Sequence, residues 1–161
     1  MTRSIARVAA LLATCLLAAC ASSPPPPAPA PEPAPASFDQ TLSGDALFEF
    51  GKSGIDNISP AGRAELDLLA ARVRALPAVE VVHVIGHSDR IGTAAGNVEL
   101  SRKRAAAVRD YLAAAGVPAD RITAVGRGSV EPVAACVGEK GQALITCLAP
   151  NRRVDIKVVM P

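Results

Sequence analysis

Aromatic residues are scarce in this 161-residue chain, which has no tryptophan, one tyrosine and three phenylalanines. A surface that stacks unpaired bases needs several rings, and a nucleic-acid footprint needs a strongly basic domain, whereas the formal net charge is only +2. Nucleic acid is therefore not an expected partner. Histidine is nearly absent too, with two in the chain, so there is little from which to assemble a metal centre or a base for nucleophilic catalysis, and no metal or cofactor is expected. Half the residues are apolar despite the shortage of rings. The core must be built of small and aliphatic side chains.

What is present begins with an addressed N-terminus. Arg3 and Arg7 precede an apolar run from Val8 to Ala19, the arrangement of a secretory signal. The run falls short of the roughly 20 residues that a helix needs to span a bilayer. Leu17-Ala18-Ala19-Cys20 resembles the lipobox of bacterial lipoproteins, in which the cysteine receives lipid. Residues 1–19 are thus expected to be a signal peptide that takes Cys15 with it, and Cys20 the anchor; a plain signal cleaved nearby would leave Cys20 a free thiol instead. Residues 20–43 read as the lipidated cysteine and a linker, because positions 21–37 hold eight of the fourteen prolines and form no core. As polyproline II at ~3.1 Å per residue, some 16 residues would hold a domain roughly 50 Å from its anchor; a tail with no length requirement reads equally well.

From Gly44 to the end, strand and helix signals alternate, predicting one α+β domain, an α/β sandwich of βαβαββ order. A first strand is expected at Ala46–Phe50, with Phe48 and Phe50 on one face. Ser59-Pro60 opens a helix with Leu66, Leu69, Val73 and Leu76 at helical spacing, and Pro77 ends it. Val79–Ile85 reads as a central strand covered on both sides. A second helix is expected from Asn97, as N-cap, to Gly116. Arg121–Gly126 and the alternation of Val154, Ile156 and Val158 supply the remaining strands. The expected result is a mixed four-stranded sheet with helices packed on one side. Cys136 and Cys147 lie in the long connection before the last strand, and secretion favours a disulfide between them over a metal site, for which this pair offers too few ligands. Their distance in sequence from Asp89 predicts that the bond contributes no ligand contact.

Chemistry concentrates in Gly86-His87-Ser88-Asp89-Arg90-Ile91-Gly92 and the helix behind it. Arg104 falls in the apolar arc of Ala105, Val108, Leu112 and Ala115, whereas Arg102, Lys103, Arg109 and Asp110 fall outside. Arg152 likewise shares a face with Val154, Ile156 and Val158, and Arg153 with Asp155 and Lys157. An inward guanidinium must be paired, since an unpaired buried charge costs several kcal/mol. Two readings follow: a salt bridge between Asp89 and Arg104, or a ligand whose ammonium meets Asp89 and whose carboxylate meets Arg104, with Asn97 adding helix-terminal donors. Rival sets are a hydrolytic one of Ser88 or Ser101 with His87 and Asp89, without a G-x-S-x-G elbow, and a metal set of His83, His87 and Asp89. A structural lipoprotein without ligand is a further alternative.

Together, Gly86-His-Ser-Asp-Arg-Ile-Gly, Asn97, Leu100-Ser101, Arg104-Ala105, Gly126-Arg-Gly and Asn151-Arg152-Arg153-Val154 resemble the OmpA-like C-terminal domain family over about residues 44–160. The resemblance implies a non-enzymatic domain that binds peptidoglycan, with Asp89 and Arg104 clasping the amino-acid end of meso-diaminopimelate in the stem peptide and Asn97, Ser88 and Arg152 lining the pocket. It also implies the Cys136–Cys147 disulfide. Where the family often carries Asn or Asp after the first strand, this chain has Gly51, so that contact is expected to be missing, backbone-made or supplied by Ser53 or Asp56. With the lipobox, and with Ala21 in place of an inner-membrane-retaining Asp, the expected location is the outer membrane through lipid on Cys20, with the domain in the periplasm and envelope proteins of the Tol-Pal type as possible partners.

Overall fold

A computed structural model of the chain describes residues 37–49 and 51–161. The expected signal peptide, Cys15, Cys20, most of the linker and Phe50 lie outside the described residues. Four strands form one sheet, β1 (Ser37–Ser43), β2 (Val81–Gly86), β3 (Ile122–Gly126) and β4 (Arg153–Val159), and the helices are α1 (Gly44–Leu47), α2 (Pro60–Arg74), α3 (Ala94–Ala114) and α4 (Gly141–Cys147). The spatial order is β1-β4-β2-β3. β4 runs antiparallel to both β1 and β2, while β2 and β3, joined through α3, are parallel. The class is α+β with a mixed sheet.

Three local expectations are corrected. The first strand is Ser37–Ser43 rather than Ala46–Phe50, so the sheet begins ahead of the expected boundary at residue 44. The segment read as a strand is the short α1, capped by the Ser43 hydroxyl, followed by Phe48 in an isolated bridge to Ile58. Central strand β2 is covered on one face only: Val82 and Val84 are fully buried, whereas Val81, His83 and Ile85 are half-buried. The second helix starts earlier than Asn97, with Thr93 as N-cap accepting from the Gly96 N–H at 3.1 Å. Asn97 sits one turn inside.

The other boundaries follow their sequence signals. Ser59 caps α2 through the Gly62 N–H at 2.9 Å with Pro60 in the first turn, and α2 buries Leu66, Leu69, Ala70 and Val73 at i, i+3, i+4 and i+7. α3 closes on Gly116 at φ 91°, where the Gly116 and Val117 N–H groups reach back to the carbonyls of Ala113 and Leu112 in a Schellman turn. The core between helices and sheet is aliphatic: Leu42, Val82, Val84, Val154, Ile156 and Val158 face Leu66, Leu69, Val108 and Leu112. Phe48 is the one fully buried ring among the described residues.

α3 lies unusually close to the sheet because Gly86 and Gly126 are paired across β2 and β3. A Cβ on Gly86 would run into the Ser101 carbonyl, and one on Gly126 into the backbone of Arg102. The two bare positions fix the depth of α3, and with it the place of Arg104 one turn further on.

Candidate functional site

The ends of β2 and β3, the start of β4, the first turns of α3 and the β1–α1 junction meet at one end of the sheet. The Gly44 N–H donates to the Arg152 carbonyl at 2.7 Å, the His87 N–H to that of Arg153 at 2.9 Å, and the Ser88 N–H to that of Gly128 at 2.9 Å. These backbone bonds hold open a cavity of about 150 Å³ lined by Gly51, Ser88, Asp89, Ile91, Asn97, Leu100, Arg104, Ile145 and Arg152. Against the ~30 Å³ share of a water molecule in the liquid, this is room for a ligand head group.

All five expected pocket residues line it, but their partners differ from the simplest pairing. Asp89 bonds to Arg152, not to Arg104: Arg152 Nη1 donates to Asp89 Oδ2 at 2.8 Å, and the Ile91 N–H donates to Oδ1 at 2.8 Å. Asp45 takes Arg152 from the other side, through Nε at 2.9 Å and Nη2 at 2.7 Å. This pairing, with the Asp45 hydrogen bonds foremost, raises the Arg152 pKa still further above its ordinary value. Asn97 does not cap α3; its Nδ2 donates to the Asp89 carbonyl at 3.0 Å and so sets the loop. Ser88 Oγ is buried without a hydrogen-bond partner among the described residues.

Arg104 is different. It is 3 % exposed, donates Nε to the Lys52 carbonyl at 3.0 Å, and lays its guanidinium carbon 5.3 Å from the centre of the Phe48 ring. No carboxylate among the described residues lies within ion-pair distance of it, so its Nη donors are left for the cavity. Burial lowers its pKa, in part offset by the charges of Asp45 and Asp89. A buried guanidinium that keeps a forked pair of donors unspent is a receptor for a planar anion such as a carboxylate. Asp89, using one lone pair on each oxygen, still has acceptor capacity for an ammonium. The pocket thus sets an acceptor and a cationic donor pair side by side, and Ile91, Leu100 and Ile145 give it an aliphatic side.

Gly51, at φ 70°, borders the pocket, and a Cβ there would meet nothing within 4 Å. Neither Ser53 nor Asp56 lines the cavity in its place. The hydrolytic set is not assembled: Ser101 Oγ is spent on the Val98 carbonyl and the Gly128 N–H, while His87 turns to the opposite face of the sheet, its Nε2 3.2 Å from Asp155 Oδ2. His83 pairs with Thr123 at 2.8 Å, and among the described residues no three histidine, cysteine or acidic side chains gather around a metal position.

The Cys136–Cys147 disulfide is formed, with Cα atoms 5.9 Å apart. Neither cysteine lines the cavity, but α4, which ends in Cys147, contributes Ile145 to the lining. Asp45, Ile91, Leu100 and Ile145 are the site residues to which the sequence reading gives no role in the pocket. Asp45 stands 107 residues from Arg152, and α4 carries no capping signal, so only the folded topology brings them in.

This fold and pocket define a small α+β domain with a charged cavity at the end of its sheet. Residues 47–145 match the OmpA family, and the chain belongs to that family. It is 48% identical over 122 residues to outer membrane protein A of Yersinia pseudotuberculosis serotype I (strain IP32953), covering 73% of this chain and 34% of that protein. The chain thus spans about a third of the length of that relative. Among solved structures, it is similar to the cell wall anchor of the T6SS from Pseudomonas aeruginosa, at 32% identity and a TM-score of 0.63, covering 78% of this chain and 82% of that one. It is also similar to the peptidoglycan-associated lipoprotein from Burkholderia pseudomallei, at 28% identity and a TM-score of 0.58, covering 73% and 88%.

Proposed function

We propose that the protein is an outer-membrane lipoprotein, anchored through Cys20, whose periplasmic domain binds the diaminopimelate stem peptide of peptidoglycan without covalent chemistry and so tethers the membrane to the cell wall. The observation that carries this reading is Arg104, a buried guanidinium with no acidic partner among the described residues, set in one cavity with Asp89. The free end of diaminopimelate presents one ammonium and one carboxylate on an aliphatic stem, which matches Asp89, Arg104 and the Leu100–Ile145 side of the pocket. The similarity to structures named as a cell wall anchor and a peptidoglycan-associated lipoprotein supports the same reading.

Co-sedimentation of the purified protein with diaminopimelate-type sacculi tests it. Wild type is expected in the pellet, and Asp89→Ala and Arg104→Ala in the supernatant with unchanged circular dichroism; pelleting of both variants sinks the pocket assignment. For the anchor, Cys20→Ala is expected to give a soluble periplasmic protein or an uncleaved precursor, and an unmodified mature N-terminus at another residue defeats the lipid assignment.

A further inference from the structure

One chain of contacts runs from the ligand pocket to the disulfide and back. Arg90, next to Asp89, sends its two Nη groups out of the pocket loop, to the Ala135 carbonyl and to the Cys136 carbonyl, the latter at 2.9 Å. Cys136, buried and held at φ 53°, is bonded to Cys147, the last residue of α4. α4 brings the loop home: Ile145 lines the cavity, and its carbonyl accepts from Arg152 Nη1 at 3.1 Å, the same nitrogen that holds Asp89.

α4 has little else to keep it there. It is seven residues long, has no side-chain N-cap and buries none of its residues fully, and so short a helix is not stable without tertiary support. The Cys136 side is better fixed, since Asn151 Oδ1 accepts from the Val133 and Ala134 N–H groups, both at 2.8 Å. The bond therefore ties a weakly held helix to a firmly held strap.

We propose that the disulfide is a working part of the binding site: through it Arg90, as a positioning residue, holds α4 so that Ile145 walls the pocket, and the oxidised chain grips its ligand more tightly than the reduced one. This rests on the pocket being the ligand site. A dithiol that gives up two electrons and two protons turns the bond into two thiols and is itself oxidised to a disulfide. α4 then loses its covalent tie and is left to its non-covalent contacts, among them the Arg152 bond to the Ile145 carbonyl, and the aliphatic side of the pocket opens to water. Loss of one aliphatic wall should weaken binding roughly five- to tenfold.

The experiment measures apparent affinity of the full chain for diaminopimelate-type sacculi at 25 °C, beside circular dichroism. It compares oxidised protein, protein reduced with dithiothreitol, Ile145→Ala and Arg90→Ala, the last also in the reduced state. Oxidised protein should bind, and reduced wild type, Ile145→Ala and oxidised Arg90→Ala should each bind more weakly by that factor while folded. Arg90→Ala should add little once the disulfide is open, because both act through α4. Failure of oxidised wild type to bind overturns the functional reading itself. Wild-type binding with unchanged affinity in the folded reduced protein overturns the inference, as does full multiplication of the Arg90→Ala and reduction effects. Should the reduced protein unfold, Ile145→Ala and Arg90→Ala with the disulfide intact decide: equal affinity to wild type overturns the proposal, and weakened affinity upholds it.

Discussion

Arg152 is held by two carboxylates at once, Asp89 at 2.8 Å from Nη1 and Asp45 at 2.7 Å from Nη2, so that the acid facing the pocket is steered by an arginine that is itself steered from α1. Asp45→Ala frees Nε and Nη2 together. Hydrogen bonds to charged groups contribute about 1.5–3 kcal/mol, and because the Asp45 side chain is 40% exposed we expect roughly 1–2 kcal/mol lost in denaturant unfolding. Binding should weaken as well, though Asp45 lies outside the cavity lining, because Arg152 then turns fully onto Asp89 and competes with the ligand ammonium. Unchanged stability and affinity would mean that Asp89 needs no such support.

Arg104 should behave in the opposite sense. Its charge is buried without a carboxylate partner among the described residues, which burdens the fold, while its guanidinium lies beside Phe48. Arg104→Met keeps the stem and drops the charge, so the melting temperature is expected to hold or rise, by up to ~2 kcal/mol of stability, with sacculus binding lost. A large destabilisation would show that Arg104 serves the fold rather than a ligand.

The disulfide closes a loop with a sequence separation of 11, for which the chain-entropy model gives about 3 kcal/mol, reduced by compactness of the unfolded chain. A Cys136→Ser, Cys147→Ser double variant should therefore melt several degrees lower, since each kcal/mol shifts a domain of this size by roughly 2–8 °C. Differential scanning calorimetry reads this directly; unchanged melting would deny the bond a stabilising role.

His87 gives the fold a pH dependence. Burial, and next the Arg153 charge, hold its imidazole below the ordinary 6.5; Asp155 and Glu131 oppose this, and Arg127 adds to it. The unfolded chain therefore takes up the proton first. The contribution of neutral His87 is complete above about pH 6.5 and is lost as pH falls through the lowered folded value. Melting temperature should thus decline between pH 7 and pH 5, and His87→Gln should flatten that slope. An identical slope in the variant assigns the effect to other groups.

Gly86→Ala and Gly126→Ala test the close approach of α3. Each new Cβ meets helix backbone, which cannot rotate away. A cost of about 1–3 kcal/mol or more is expected in each, together with weaker binding as Arg104 and Asn97 shift with the helix. If either variant melts like wild type, the helix is less tightly seated than described.

Much of this was legible in the sequence because it depends on local periodicity. α2 is announced by Ser59-Pro60, and the inward turn of Arg104 and Arg152 follows from their spacing to Val108, Leu112, Val154 and Ile156. β1 was missed because, in Ser37-Phe-Asp-Gln-Thr-Leu-Ser43, only Phe38 and Leu42 are apolar: an edge strand solvated on one face leaves a faint pattern. Ala46–Phe50 imitated a strand because Phe48 must point into the core whichever way the backbone turns. Thr93 and Asn97 are both good N-cap residues, and the sequence alone does not choose between them. The five polar pocket members are legible in the sequence, but their pairing is not: whether Asp89 meets Arg104 or Arg152 is decided by the register of β4 against β2, which no periodicity encodes.

That register also sets how the domain would bear a load. β1 begins at Ser37 beside Val159 and ends at Ser43 beside Arg153, next to the pocket, so the linker joins the fold at the far end of a strand about 20 Å long. A pull between linker and ligand acts along β1, parallel to the strand and across its hydrogen bonds to β4. All seven registered pairs share the tension at once instead of parting one by one. On the proposed function, the envelope's two layers would be joined through a strand loaded in shear, the direction in which a β-ladder resists most.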